Sequence, residues 1–248
     1  MLPETVKKET KNKSVQTDSI GLFKVVFTLL LQPVFYINYK NCFKIKKSTR
    51  KKMEPVILAS SSPRRQEIMK MLKIPYRVIM PNIDETISTM LSHEEIPELL
   101  AREKVLSVIH SLPAGQEIQW VLGADTIVSF EDKIYGKPND QDQAFEFLKS
   151  FQGKSHEVIT SLVLYNGRQK ITTSRTSKTI VTFAPMSDDE IQWYVDTGEW
   201  HGAAGGYRIQ SLASCFIQKI EGSYSGAVGL PIFELYDILK EQGYSILE

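Results

Sequence analysis

Apolar positions along this chain alternate between short continuous runs and helical stripes. Val56-Ile57-Leu58 predicts a short buried strand over Pro55–Ala59, and Ser60-Ser61-Ser62 reads as the polar turn that ends it. Pro63 stands where the first residue of a helix belongs, because that position's N–H has no intrahelical partner. The helix shows Ile68, Met69 and Leu72 on one face and stops near Pro75, before a second strand over Tyr76–Met80. Ile96–Ile109 carries a helical pattern that predicts Leu99, Leu100, Val105, Leu106 and Ile109 as its buried side. Trp120-Val121-Leu122 opens a strand running into Gly123-Ala124-Asp125-Thr126. A helix follows over Asp140–Phe151, with Ala144, Phe147, Leu148 and Phe151 at helical spacing. Val158–Tyr165 and Thr179–Phe183 read as strands, and Ser187 with Glu190 forms a capping box ahead of Ile191, Tyr194 and Val195. A last helix begins near Pro231 and buries Leu235, Ile238 and Leu239.

Strands and helices mix throughout, with no internal repeat and no low-complexity tract, which predicts one α/β domain. Two lobes around a cleft remain an open variant of that reading. Residues 1–52 stand apart as an N-terminal extension, apolar over Leu22–Leu31 and basic from Lys44 to Lys52. A bilayer span takes roughly 20 mostly apolar residues, and Lys24, Gln32 and Asn38 interrupt this run and the apolar residues that follow Pro33. Three readings stay open: an anchor or membrane contact through residues 22–43, a tail without assigned role, and sequence upstream of a start at Met53.

Composition narrows the function classes. Of 248 residues, 42% are hydrophobic and 24% charged, as in a soluble globular domain. A formal net charge of +1 gives no overall field for a nucleic acid polymer, though a small anion needs only a local cationic cluster. Two cysteines, Cys42 in the extension and Cys215 in an expected strand, are too few for a disulfide scaffold. The expected location is the cytoplasm. Four histidines without paired spacing argue against a structural zinc site. The P-loop, dinucleotide-binding and serine-hydrolase motifs are all absent from the sequence.

The candidate chemistry is phosphate chemistry. Ser60-Ser61-Ser62-Pro63-Arg64-Arg65 joins a strand to a helix N-terminus, where free N–H groups favour an anion. Guanidinium forks suit phosphate oxygens, and the bland alternative is a solvated arginine pair beside capping serines. Lys104, inside a helix, reads by itself as a surface lysine, and Lys137 lies in a turn set by Gly136 and Pro138. Asp125 stands where an apolar strand is expected to run out. Metal binding, proton abstraction and simple capping are all open to it. Asp84 and Glu85 follow the second strand and offer carboxylate oxygens suited to a hard cation.

Taken together these segments resemble the Maf family of nucleoside triphosphate pyrophosphatases. The resemblance rests on Leu58-Ala59-Ser60-Ser61-Ser62-Pro63-Arg64-Arg65-Gln66-Glu67-Ile68, Ala101-Arg102-Glu103-Lys104, Gly123-Ala124-Asp125-Thr126-Ile127-Val128 and Gly136-Lys137-Pro138. It continues through Gly205-Gly206-Tyr207-Arg208-Ile209-Gln210 and Gly222 to Pro231, covering nearly everything from Met53 to Glu248. It implies a single mixed-sheet α/β domain with a nucleotide-binding cleft, similar to the ITPase-like fold. It also implies hydrolysis of a nucleoside triphosphate, dTTP or UTP first, to the monophosphate and pyrophosphate with Mg²⁺ or Mn²⁺. By motif, Ser60, Arg64 and Arg65 would hold phosphate, Lys104 and Lys137 would share that work, and Gln210 would lie near the base. Asp125 would activate water near the metal, with Glu85 as a further metal ligand. A homodimer is expected. Two departures bear on substrate choice: Ala203 stands where the family often has lysine, and Arg208 where a small residue is common. A non-catalytic nucleotide-binding regulator of cell division, or a preference for 7-methylguanosine triphosphate, remain the alternatives.

Overall fold

The computed structural model describes residues 53–84 and 91–246. The expected extension, its apolar stretch 22–43, Cys42 and Glu85 lie outside the described residues. Seven strands form one mixed sheet: β1 (Val56–Ala59), β2 (Tyr76–Val78), β3 (Trp120–Phe130), β4 (Lys133–Tyr135), β5 (Ser155–Asn166), β6 (Ile171–Phe183) and β7 (Ile217–Glu221). Their order is β2-β1-β3-β5-β6-β7, with β4 paired to β3. The β1 strand runs parallel to both β2 and β3, and the remaining pairs are antiparallel.

The helices are α1 (Pro63–Met71), α2 (Glu95–Ser111), α3 (Gln141–Phe151), α4 (Asp188–Asp196), the short α5 (Tyr224–Val228) and α6 (Ile232–Glu241). Their ends follow local chemistry. Asp140 accepts from the Gln143 N–H to cap α3, and the Ser187–Glu190 capping box starts α4 as its sequence predicts. Pro63 opens α1, but Ser62 at the N-cap makes no side-chain cap bond there.

Because side chains alternate along β3, each helix layer meets every second residue. Val121 and Ile127 meet α2, where Ala101, Val105, Leu100 and Ile96 are buried. Gly123 lies on this same side, and a Cβ there would sit 2.6 Å from the Ala101 carbonyl oxygen and 2.7 Å from Val105 Cγ2. Helix and strand therefore approach more closely than any larger residue would permit.

The opposite face holds two apolar clusters end to end. One joins Leu58, Leu122, Ala124, Leu162 and Leu164 to Ile68 and Met69 of α1 and to Leu235, Ile238 and Leu239 of α6. The other joins Val128, Val158, Val181 and Phe183 to Leu148 and Phe151 of α3 and to Ile191, Tyr194 and Val195 of α4. Between them a polar row crosses the sheet, since Thr126 pairs with Thr160 and Thr160 with Ser177. Thr160 is fully buried, and its hydroxyl reaches the Gly226 carbonyl of α5 at 2.8 Å and Thr126 Oγ1 at 2.9 Å. The open question of two lobes thus resolves into two cores on one continuous sheet, parted by hydrogen-bonded hydroxyls. At the far end, Tyr244 donates its hydroxyl to the Glu54 carbonyl across 190 positions.

Four expectations need correction. The third strand does not run out at Asp125 but continues to Phe130, because β5 pairs with it without a break from Trp120 to Ser129. In α2 Leu99 and Leu106 are exposed, and the buried stripe is Ile96, Leu100, Ala101, Lys104, Val105 and Val108. Cys215 is exposed in a 3₁₀ turn, Leu212–Cys215, and not in a strand. The strand expected over Tyr76–Met80 ends at Val78.

Candidate active site

One edge of β3 is bordered by β1 as far as Gly123 and by β4 from Val128 onward. Among the described residues no strand borders that edge from Ala124 to Ile127. A cleft of about 490 Å³ opens at this notch. Since neighbouring strand residues point to opposite faces, Asp125 turns toward α2 and Thr126 toward the polar row, and both line the cleft.

Asp125 and Lys104 form the most enclosed charged pair on the cleft wall. Lys104 Nζ donates to Asp125 Oδ1 at 2.5 Å, and the residues are 6% and 8% exposed. Burying either charge alone is costly, and pairing offsets that cost. Here Lys104 is no surface lysine, because it sits on the apolar stripe of α2 facing β3.

The two arginines of α1 part company. Arg65, 8% exposed, donates through Nε to the Gly229 carbonyl at 2.7 Å, through Nη1 to Ser60 Oγ at 3.1 Å and through Nη2 to Thr126 Oγ1 at 3.2 Å. Buried and bonded on three sides, it nonetheless lines the cleft. Arg64 is half-buried and crosses the cleft, its Nη2 donating to the Gly202 carbonyl at 3.4 Å. Burial, and then the nearby Arg208 and Arg65 guanidiniums, push the Arg64 pKa down from the ordinary arginine value, with Glu67 and Tyr194 opposing. Crowding of like charges is the electrostatic mark of a site for an anion.

Ser60, Ser61 and Ser62 complete this cationic side, and the exposed Lys137 lines the cleft as well. Ser60 Oγ also accepts from the Ser62 N–H at 3.2 Å. Asp84 is exposed and outside any regular element.

The other wall is the irregular segment 201–210, which brings Arg208 and the exposed Gln210 to the cleft. It is pinned from behind by Tyr207, whose hydroxyl meets His156 Nε2 at 2.7 Å, and by the buried Ile209. Gly205 takes φ 69°, and its amide donates to the Gly136 carbonyl at 2.9 Å, tying the segment to the Lys137 turn.

Ser60, Arg64, Arg65, Lys104, Asp125, Lys137 and Gln210 all converge on one cleft, though they are drawn from across the chain. Sequence reasoning missed Thr126 and the Gly229 carbonyl as partners of Arg65, and Arg208 as a wall residue. For Lys104 a signal existed: it falls in register with Leu100, Ala101, Val105 and Val108, where an apolar residue belongs.

Residues 55–242 match the family model described as "Maf-like protein". A protein of Desulforamulus reducens named dTTP/UTP pyrophosphatase is 42% identical over 79% of this chain and 100% of its own length. A protein of the same name from Thermosipho africanus is 44% identical over 76% of this chain and 93% of its own. A solved structure of the Staphylococcus aureus Ham1 protein overlaps more loosely, with TM-score 0.35 and 14% identity over 53% of this chain and 72% of that one.

Proposed function

The chain belongs to the Maf-like protein family, and from that premise and the cleft's geometry we propose that it hydrolyses nucleoside triphosphates, dTTP and UTP foremost, to the monophosphate and pyrophosphate. The observation that carries this reading is the buried Lys104–Asp125 pair at an unbordered strand edge, facing a cradle of serines and arginines.

Water attacks the α phosphorus and gives its proton to the Asp125 carboxylate. The bond from that phosphorus to the bridging oxygen breaks, and its electron pair leaves with pyrophosphate. General-base assistance of this kind contributes roughly 10²–10⁴-fold. Lys104 holds Asp125 in one orientation by occupying Oδ1. Arg64, Lys137 and the Ser60–Ser62 turn meet the charge that accumulates on the leaving group, where preorganised donors act most strongly. Arg65 positions Ser60 and Thr126. No covalent intermediate is needed.

A divalent cation suits this donor set. Mg²⁺ binds through one or two carboxylates together with substrate phosphates, and Asp125 provides a carboxylate in the cleft with one oxygen on Lys104. Among the described residues no group of three or more His, Cys, Asp or Glu gathers, and a cation held by Asp125 would take its further ligands from substrate phosphate oxygens. Glu85 is the second acid proposed for it. When bound, the cation supplies positive charge to the phosphate oxygens.

Gln210 supports the pyrimidine preference. Its amide offers both a donor and an acceptor, which match the O4 and N3–H edge of thymine or uracil, while cytosine reverses that pattern. The test is pyrophosphate release from dTTP, UTP, CTP, ATP, GTP and 7-methylguanosine triphosphate, with Mg²⁺ and with Mn²⁺. The expected order puts dTTP and UTP first. Release from none of them overturns the reaction, whereas CTP or 7-methylguanosine triphosphate leading in kcat/KM overturns only the base assignment. A homodimer belongs to the same reading, and sedimentation tests it.

A further inference from the structure

Arg208 has no part in the reaction as described so far, yet it stands on the wall opposite Asp125's strand with its charge beside Arg64. We propose that Arg208 and Arg64 together form a guanidinium clamp for the pyrophosphate end of the substrate. The inference rests on the pyrophosphatase reading and adds a residue to it.

Three observations carry it. First, the two side chains come from different elements onto one step of backbone. Arg64 Nη2 donates to the Gly202 carbonyl at 3.4 Å, and Arg208 Nη2 donates to the neighbouring His201 carbonyl at 2.8 Å. Second, neither guanidinium is ion-paired with a carboxylate among the described residues. Glu199, just after α4, is engaged by Ser211 Oγ at 2.5 Å and the Leu212 N–H at 3.1 Å, and Glu67 acts on Arg64 through its charge without a salt bridge. Third, Arg208 Nε is buried with no hydrogen-bond partner. A buried donor without an acceptor is rare in native proteins and calls for a missing group.

The missing group is an oxyanion. Two cations in the same cleft repel unless a counterion lies between or across them, and guanidinium forks match phosphate oxygens bidentately. Within a nucleoside triphosphate, charge concentrates on the two outer phosphates, which leave as pyrophosphate, whereas the pyrimidine is neutral. Arg208 is also held in place. Its backbone N–H donates to Tyr194 Oη at 3.1 Å, and burial pushes the Tyr194 phenol up to about 12, so it stays neutral. The clamp is therefore preorganised from the backbone outward.

Product inhibition separates the two ends of the substrate. In Arg208→Gln the inhibition constant of pyrophosphate should rise roughly 10- to 100-fold, as expected for losing a charge-assisted hydrogen bond. That of thymidine monophosphate should stay within about twofold, and Arg208→Lys should recover part of the loss by restoring charge without the fork. Unchanged pyrophosphate inhibition overturns the proposal. So does equal weakening of both products in Arg208→Gln and Arg208→Lys alike, which marks a structural residue. If the unaltered protein releases pyrophosphate from no triphosphate, the reaction reading fails separately. Calorimetric binding of pyrophosphate, lost in Arg208→Gln, would then still uphold the anion site, and no such binding would sink both.

Discussion

The two ends of one sheet face build the cleft by different means. At the α1/α6 end, regular elements deliver the charges: β1 feeds the serine turn, α1 carries the arginines, and Arg65 is bonded on three sides. At the α3/α4 end, the wall is the segment 201–210, held by side chains that reach backward into the core. Tyr207 lies at ring-centroid distances of 5.0 Å from Phe183 and 5.4 Å from His156, and His156 stacks on Phe151 at 4.3 Å. The contrast teaches that the serine turn and the arginines of α1 are fixed by strand and helix geometry, whereas Arg208 and Gln210 ride on packing, which tolerates a change of residue at the cleft surface.

Asp125→Asn, at the strand that both ends share, gives the largest expected effect. Its amide oxygen still accepts from Lys104 but leaves the buried ammonium without its counter-charge, so kcat should fall roughly 10²–10⁴-fold and the thermal midpoint should drop as well. A folded variant with near-normal kcat would remove Asp125 from the mechanism.

Arg65→Ala and Arg64→Ala sharpen the comparison within one helix turn. Arg65→Ala takes the guanidinium donor from the Gly229 carbonyl and one donor each from the Ser60 and Thr126 hydroxyls, and should cost about 3 kcal/mol of stability as well as activity. Arg64→Ala should lower kcat/KM roughly 10- to 100-fold with little change in unfolding. Thermal melts beside steady-state kinetics distinguish them, and equal melting losses would erase the distinction drawn here.

The smallest effect is expected at the packed end and depends on pH. Burial holds the His156 imidazole down at about 3, against an ordinary value of 6.5. Below 6.5 the unfolded chain takes up a proton that the folded chain refuses until about pH 3. Stability is thus fully present above 6.5 and falls as pH drops through that window, by up to about 1.4 kcal/mol per unit. Urea midpoints between pH 7 and pH 4.5 should decline less in His156→Gln, which keeps a polar partner for Tyr207. Parallel declines in both proteins would assign the acid sensitivity to other groups.

Much of this architecture is readable from residue pattern, and the exceptions have causes. The α3 and α6 faces and the Ser187–Glu190 box are local features, so short windows reveal them. The continuation of β3 past Asp125 is not local. Gly123-Ala124-Asp125-Thr126 has turn-like composition, and only pairing with β5 keeps it extended. On hydrophobicity alone Leu99 and Leu106 outweigh Ala101 and Lys104, so the α2 pattern points to the wrong face. A buried lysine makes sense only once its carboxylate partner, 21 positions away, is known. Similarly, Arg64 and Arg65 are indistinguishable as a dipeptide and differ through Gly229, Ser60 and Thr126.

The bond from Arg65 to the Gly229 carbonyl spans 164 positions of the chain, and this has a consequence in time. A chain made from its N-terminus onward presents Ser60, Arg65, Lys104 and Asp125 long before Gly229 exists to receive the guanidinium. Contacts between such distant positions close late, because ordering the intervening chain comes first. Until residue 229 has left the ribosome, Arg65 Nε lacks the carbonyl it meets in the folded protein. The nascent protein therefore presents its charged groups before the part of the cleft lining that Gly229 contributes is in place.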